Sequence, residues 1–168
     1  MHEDPLRYLL DSSVLFSLDD GNVLGVLWDL HCSWCTTDLI LAEWKTFDTD
    51  ALVRSGLFVV FLSDAEILEL FRISSDHKKI KPADLSLFIH ATAHRDCIVI
   101  TGDKRLRALC EGEGIPVHGV LWILDLIHDR RLLSRQELVE ALQAMIAHGN
   151  YLPDPDCRER VERWELKE

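Results

Sequence analysis

The chain has 168 residues, 48% hydrophobic and 28% charged, a balance that suits one soluble globular domain with room for a real core. Its formal net charge is −11, from 18 Lys+Arg against 29 Asp+Glu, which argues against coating nucleic acid through overall charge but leaves open an enzyme that meets phosphates through metal ions and a local basic patch. No run approaches the roughly 20 apolar residues of a membrane span, and the opening Met1-His2-Glu3-Asp4-Pro5 lacks the basic and apolar segments of a signal peptide, so the expected location is cytoplasmic.

In chain order, Arg7 to Leu10 reads as a first strand, followed by helical segments over Ser12 to Leu18 and Asn22 to Leu30, broken at Asp19-Asp20-Gly21. Cys32 to Thr36 is a short second strand. Thr37 or Asp38 then caps a helix expected to run through Leu39, Ile40, Ala42 and Phe47. Leu57 to Leu62 is a third strand, and Ser63-Asp64-Ala65-Glu66 is a capping box that opens the next helix. After the basic connection Asp76 to Lys81, Pro82 suits the first turn of a helix reaching about His94. Ile98 to Thr101 lies on the fourth strand, Lys104 to Gly112 is a short helix, and Gly114-Ile115-Pro116-Val117 enters a fifth strand whose proline suggests a sheet edge.

From Val120 the pattern becomes all-helical: Val120 to His128, a capped helix after Ser134 ending near His148-Gly149, and a charged helix over Asp156 to Leu166. Strands alternating with helices imply right-handed crossovers and a parallel sheet of about five strands. The expected organisation is a single domain, 1–168, with a core over 6–120 and a C-terminal helical extension over 120–168 that packs on the sheet.

Two of these strands run directly into an aspartate, Asp11 and Asp103. Ligands of open α/β sheets bind outside the carboxyl ends of the strands, so two acids at such ends are candidates for one site. Glu43 follows the apolar stripe Leu39-Ile40-Leu41-Ala42, and Asp84 stands in the first turn of its helix, where the helix dipole favours a carboxylate. Singly, each acid also reads as a turn or capping residue.

The ordered set resembles the PIN domain family of metal-dependent nucleases. The residues that carry the resemblance are Leu9-Leu10-Asp11-Ser12-Ser13, Leu41-Ala42-Glu43, Ala83-Asp84 followed by Ala91-Thr92-Ala93, and Ile100-Thr101-Gly102-Asp103-Lys104-Arg105-Leu106. The resemblance implies a three-layer α/β/α fold with extra C-terminal helices. It also implies hydrolysis of an RNA phosphodiester, leaving a 5′-phosphate and a 3′-hydroxyl. Among PIN proteins the chain looks most like small prokaryotic ones, which include toxins of toxin–antitoxin pairs. Its tail after Val120 is longer than in a minimal toxin and resembles bacterial PIN proteins of undetermined role.

By motif position the resemblance implies Asp11 as central ligand of one or two Mg²⁺ or Mn²⁺ ions, with Asp84 and Asp103 beside it and Glu43 binding metal or orienting water. Hard divalent cations prefer such oxygen ligands. Ser13 and Thr101 would hydrogen-bond the carboxylates, and Lys104 and Arg105 would meet substrate phosphate. The implied partners are RNA, an antitoxin protein and a second copy of the chain, with the apolar Val120–Ile127 helix at the dimer interface.

The remaining motifs carry blander readings. Cys32-x-x-Cys35 falls on a strand, which favours core cysteines over a redox pair or a zinc site. His90 and His94 share one helix face as a partly buried pair. Lys78-Lys79-x-Lys81 is either a solvated loop or a phosphate contact beside Asp84. The alternative function is a catalytically inactive PIN-like module for binding or assembly, which the strong negative charge favours. A haloacid-type phosphatase needs a second aspartate two residues after the first, where this chain has Ser13.

Overall fold

The computed structural model describes residues 6–166. The chain folds into two compact units, one formed by the chain up to Val14 with Cys32–His118, the other by Leu15–His31 with the chain from Gly119 onward.

The first unit holds the sheet. Its strands are β1 (Arg7–Leu10), β2 (Ser33–Thr37), β3 (Phe58–Val60), β4 (Cys97–Ile100) and β5 (Val117–His118), in the spatial order β3-β2-β1-β4-β5. Every pairing is parallel, as the helical crossovers require. The order reverses between β1 and β4, which makes their carboxyl ends the topological switch point where such sheets form crevices. Leu10 pairs with Ile100 there, so Asp11 and Thr101 leave the sheet side by side. Leu9, Leu10, Val99 and Ile100 are fully buried at the sheet centre. β5, after Pro116, lies at an edge as the proline predicts, and β3 is the opposite edge.

The helices of this unit are α2 (Asp38–Leu41), α3 (Thr49–Ser55), α4 (Asp64–Ser74), α5 (Pro82–Ala93) and α6 (Lys104–Gly112). α5 is buried along most of its length, against β1, β2 and β4. The capping box at the start of α4 is formed reciprocally: Glu66 N–H donates to Ser63 Oγ and Ser63 N–H to Glu66 Oε2.

One predicted element differs. The helix expected from Asp38 through Phe47 stops at Leu41. Glu43 N–H bonds Ile40 O and Trp44 N–H bonds Leu41 O, a tightened final turn. Trp44 is the reason: its ring is buried and its Nε1 donates to Ser12 Oγ at 2.8 Å, a tertiary anchor that outweighs local helix propensity. Glu43 therefore sits in an exposed turn rather than on a helix.

The second unit contains a 3-10 helix over Leu24–Leu30 where the sequence suggests a longer helix, then α7 (Val120–Asp129), α8 (Arg135–Ala147) and α9 (Asp154–Leu166). α1 (Ser12–Asp20) begins in the first unit and ends in the second. Val120, Leu121, Ile123, Leu124 and Ile127 of α7 are buried against the 3-10 helix, α8 and α9. The apolar face expected at a dimer interface is thus occupied by the chain itself. Asp125 ties α7 to α9, accepting from Arg160 Nε and from an Arg163 guanidinium nitrogen at 2.9 Å each, and from Trp164 Nε1 at 3.1 Å. No helix among the described residues is long and apolar enough to cross a membrane.

Candidate active site

Asp11 follows β1 directly and is 2% exposed. Its Oδ1 accepts from Ser13 Oγ at 2.6 Å and from Val14 N–H at 3.1 Å, so it also caps the start of α1. Its Oδ2 accepts from the hydroxyl of fully buried Thr101. Burial pushes the Asp11 carboxyl above its ordinary pKa, while the bonds from Ser13 and Thr101 pull the other way.

Thr101 and Ser13 each serve two partners. Thr101 Oγ1 accepts from Asp103 N–H at 3.0 Å while donating to Asp11. Ser13 Oγ accepts from Gly102 N–H at 3.2 Å while donating to Asp11. A side chain at position 102 would place its Cβ 3.1 Å from Ser13 Oγ, which accounts for a glycine in the turn after β4. Two hydroxyls thereby brace one buried carboxylate from both sides of the β1–β4 junction.

Asp103 caps α6. Its Oδ1 takes both cap bonds, from Arg105 N–H at 2.6 Å and Leu106 N–H at 3.1 Å. The capping reading of this residue is therefore realised, on one carboxylate oxygen. Lys104 and Arg105 are exposed on the first turn of α6, and the Arg105 guanidinium reaches Lys79 O at 3.4 Å. That contact draws the basic 78–81 segment alongside α6.

Asp84 stands in the first turn of α5, behind Pro82, and is half-buried. Its pKa is pushed up to about 6, first by burial, then by the charges of Asp11 and Glu43 and to a smaller extent Asp103, with Lys81 opposing. One carboxylate thus feels the other three, and four acids drawn from distant parts of the sequence form one electrostatic cluster. Among the described residues, no three of these four acids bring their ligand atoms within 4.8 Å of one another. Among the described residues, the trio of potential ligands whose atoms lie within 4.8 Å of one another is Glu66, His90 and His94.

That trio includes a residue to which the sequence assigns a purely local role. Glu66 is the N3 residue of a capping box, a motif that explains a glutamate without any tertiary partner. Only its second oxygen, bonded to His90 Nδ1 at 2.7 Å, reveals the wider role. Cys35, by contrast, is a core thiol: it is 2% exposed, and burial pushes its pKa up to about 11.

The all-parallel sheet, with Asp11 and Asp103 beyond its β1 and β4 ends, is an α/β fold with a candidate site at its switch point. The family model DUF3368, described as a PIN domain, matches residues 7–166, and the chain belongs to the PIN domain family. No curated protein matches the chain. Among solved structures it is similar to the PIN domain endonuclease Utp24, with 17% identity and a TM-score of 0.47 over 69% of this chain and 86% of that one. It is also similar to PAE2754 from Pyrobaculum aerophilum, with 18% identity and a TM-score of 0.47 over 74% and 96%.

Proposed function

We propose that this PIN domain is a divalent-metal-dependent endoribonuclease that uses Mg²⁺ or Mn²⁺. The observation that carries the reading is the buried Asp11 carboxylate at the β1–β4 junction, braced by Ser13 and Thr101 with Asp103 bonded to the same threonine; burial and the charges of Asp11, Glu43 and Asp103 also raise the pKa of the Asp84 carboxyl. The donor set fits the ion: four carboxylates and no thiol or imidazole suit a hard cation.

Asp11, Asp84 and Asp103 would hold the metal, with Glu43, exposed in its turn, as ligand or water-orienting group. A bound divalent ion supplies a water nucleophile at neutral pH and neutralises charge on the phosphate. The chain's own residues do the rest. Ser13 and Thr101 hold both oxygens of Asp11 in place and oppose the rise that burial gives its pKa. Asp103 spends only Oδ1 on the helix cap. Lys104 and Arg105 stand next to it to receive substrate phosphate.

The assay is cleavage of single-stranded and structured RNA with Mg²⁺ or Mn²⁺ and with chelator. Cleavage that requires metal and disappears in Asp11→Asn and Asp103→Asn supports the reading; unchanged cleavage in those variants overturns the site. The net charge of −11 favours a second reading, an inactive PIN-like module, because it weakens free RNA affinity. Absence of carboxylate-dependent metal uptake in a calorimetric titration would favour that module.

The reading extends to a toxin held in check by an antitoxin protein, and growth arrest on expression of the wild type but not of Asp11→Asn is the expected result. It also extends to a homodimer. With the α7 face buried, the exposed side chains Phe58, Phe61, Leu68 and Phe71, each between 64% and 74% exposed, on the β3 edge, the turn after it and α4, are the apolar surface proposed for self-association. Together they offer on the order of 500 Å² of apolar surface, comparable to the core of a standard-size interface. Sedimentation should report a dimer that Phe71→Asp dissociates; a monomeric wild type would remove this element.

A further inference from the structure

Outside the acidic cleft lies a second cluster of ligating groups. His90 and His94, four residues apart at the end of α5, lie with ring centroids 4.2 Å apart and planes tilted by 35°. Glu66 reaches across from α4 and sets one oxygen, Oε1, against both rings, 2.7 Å from His90 Nδ1 and 3.6 Å from His94 Nε2. We infer that Glu66, His90 and His94 form a second metal site, specific for a borderline divalent ion of the zinc class and separate from the hard-cation cleft.

The donor chemistry supports that class. Two imidazoles and one carboxylate are the ligand set of open zinc sites, which keep a further position for water or substrate. Tetrahedral zinc with ligands near 2.0–2.1 Å places ligand atoms about 3.3 Å apart. Glu66 Oε1 stands 3.6 Å from His94 Nε2, near that spacing, and 2.7 Å from His90 Nδ1, the hydrogen bond that an ion would replace. Glu66 and His90 are buried, so two ligands are already desolvated and fixed, while the His94 side chain is 43% exposed and provides the path of entry. The geometry agrees with the ionisation of the groups. The Ser63 cap bonds and His90 hold the Glu66 carboxyl below its ordinary pKa despite its burial, and burial holds the His90 imidazole down.

A fourth residue sets how tightly this site loads. Arg7 is clamped to Asp96 through Nε at 2.7 Å and one terminal nitrogen at 3.0 Å, and its other terminal nitrogen lies 3.3 Å from His90 Nε2. Arginine can only donate, so Nε2 must accept and the ring proton must sit on Nδ1, donated to Glu66. Metal at Nδ1 requires the proton to move to Nε2, where it faces Arg7 rather than an acceptor. Arg7 therefore opposes loading. Zinc-binding histidines ordinarily donate their other ring N–H to a carbonyl or carboxylate. Arg7→Gln would supply a carbonyl oxygen there.

The test is titration of the full chain with Zn²⁺ by calorimetry and with Co²⁺ by visible absorption, carried out in the Asp11→Asn background to silence the acidic cleft. One ion per chain is expected, with tetrahedral Co²⁺ bands and no competition from Mg²⁺. His94→Ala, at a half-exposed position that leaves the core intact, should weaken binding at least tenfold and remove the bands, and Arg7→Gln should tighten binding. Zinc uptake that is absent, unchanged in His94→Ala, or dependent on the Asp11 carboxylate would overturn the inference. Absent uptake, or uptake unchanged in His94→Ala, involves no residue of the acidic site and leaves RNA cleavage untouched, so the two proposals fail independently.

Discussion

At the scale of single residues, Asp11 and Asp84 are held in surroundings that disfavour their charge. Asp84 shows the cost most clearly. Its pKa is about 3.8 as a free side chain and about 6 in the fold. A carboxyl whose folded pKa is raised binds its proton more tightly when folded, so its contribution favours folding at low pH and is lost as pH rises from about 4 to 6. Asp84→Asn should therefore stabilise the protein at pH 7.5. Half-exposure and solvent screening limit the gain to about 1 kcal/mol. Thermal melts with and without the substitution should differ at pH 7.5 and converge near pH 4; an equal difference at both would show that the charge is not the cause. The same substitution should abolish cleavage, a trade of function for stability expected where a site gathers like charges.

At the scale of elements, each acid is placed by the way its segment ends. β1 and β4 end at the same level of the sheet, and the turns that follow are closed by Ser13, Thr101 and Gly102. α5 begins with a proline, which sets Asp84 in the first turn. In the helical unit, the equivalent organising residue is Asp125, which gathers three donors from α9 while itself 18% exposed. Asp125→Ala leaves two guanidinium groups and an indole N–H without their shared acceptor. A loss of about 2 kcal/mol is expected, below the range for a fully buried pair. Urea unfolding monitored by tryptophan fluorescence would measure it, and a loss under about 0.5 kcal/mol, the size of an ordinary surface substitution, would mean that apolar packing alone holds α9.

At the scale of the whole molecule, the charge of −11 confines phosphate attraction to a few places. The 78–81 segment and the start of α6, joined by Arg105, are the place proposed for it. RNA affinity should depend weakly on salt. Lys104→Ala combined with Arg105→Ala should reduce the slope of log affinity against log salt by roughly one to two. An unchanged slope would place the phosphate path elsewhere.

The parallel sheet, the five strands, the capping boxes of α4 and α8 and the positions of Asp11, Asp84 and Asp103 were legible in the sequence, because each depends on local signals: apolar runs, caps and a first-turn proline. Glu43 was legible as a residue but not as a conformation, since the long-range bond from Trp44 to Ser12 breaks its helix. The α7 face looked available only because its covering helices lie elsewhere in the chain. Glu66 was hidden behind a sufficient local explanation.

The sequence by itself determined the elements, the order of the acids and the strongly negative charge balance, since these follow from short-range patterning and composition. Only the tertiary structure decided which groups meet. The two hydroxyls on Asp11, the three acids felt by Asp84, and the carboxylate set against two histidines all depend on residues brought together across the sheet or between helices. Contacts of that kind have no period or spacing that a linear chain can display.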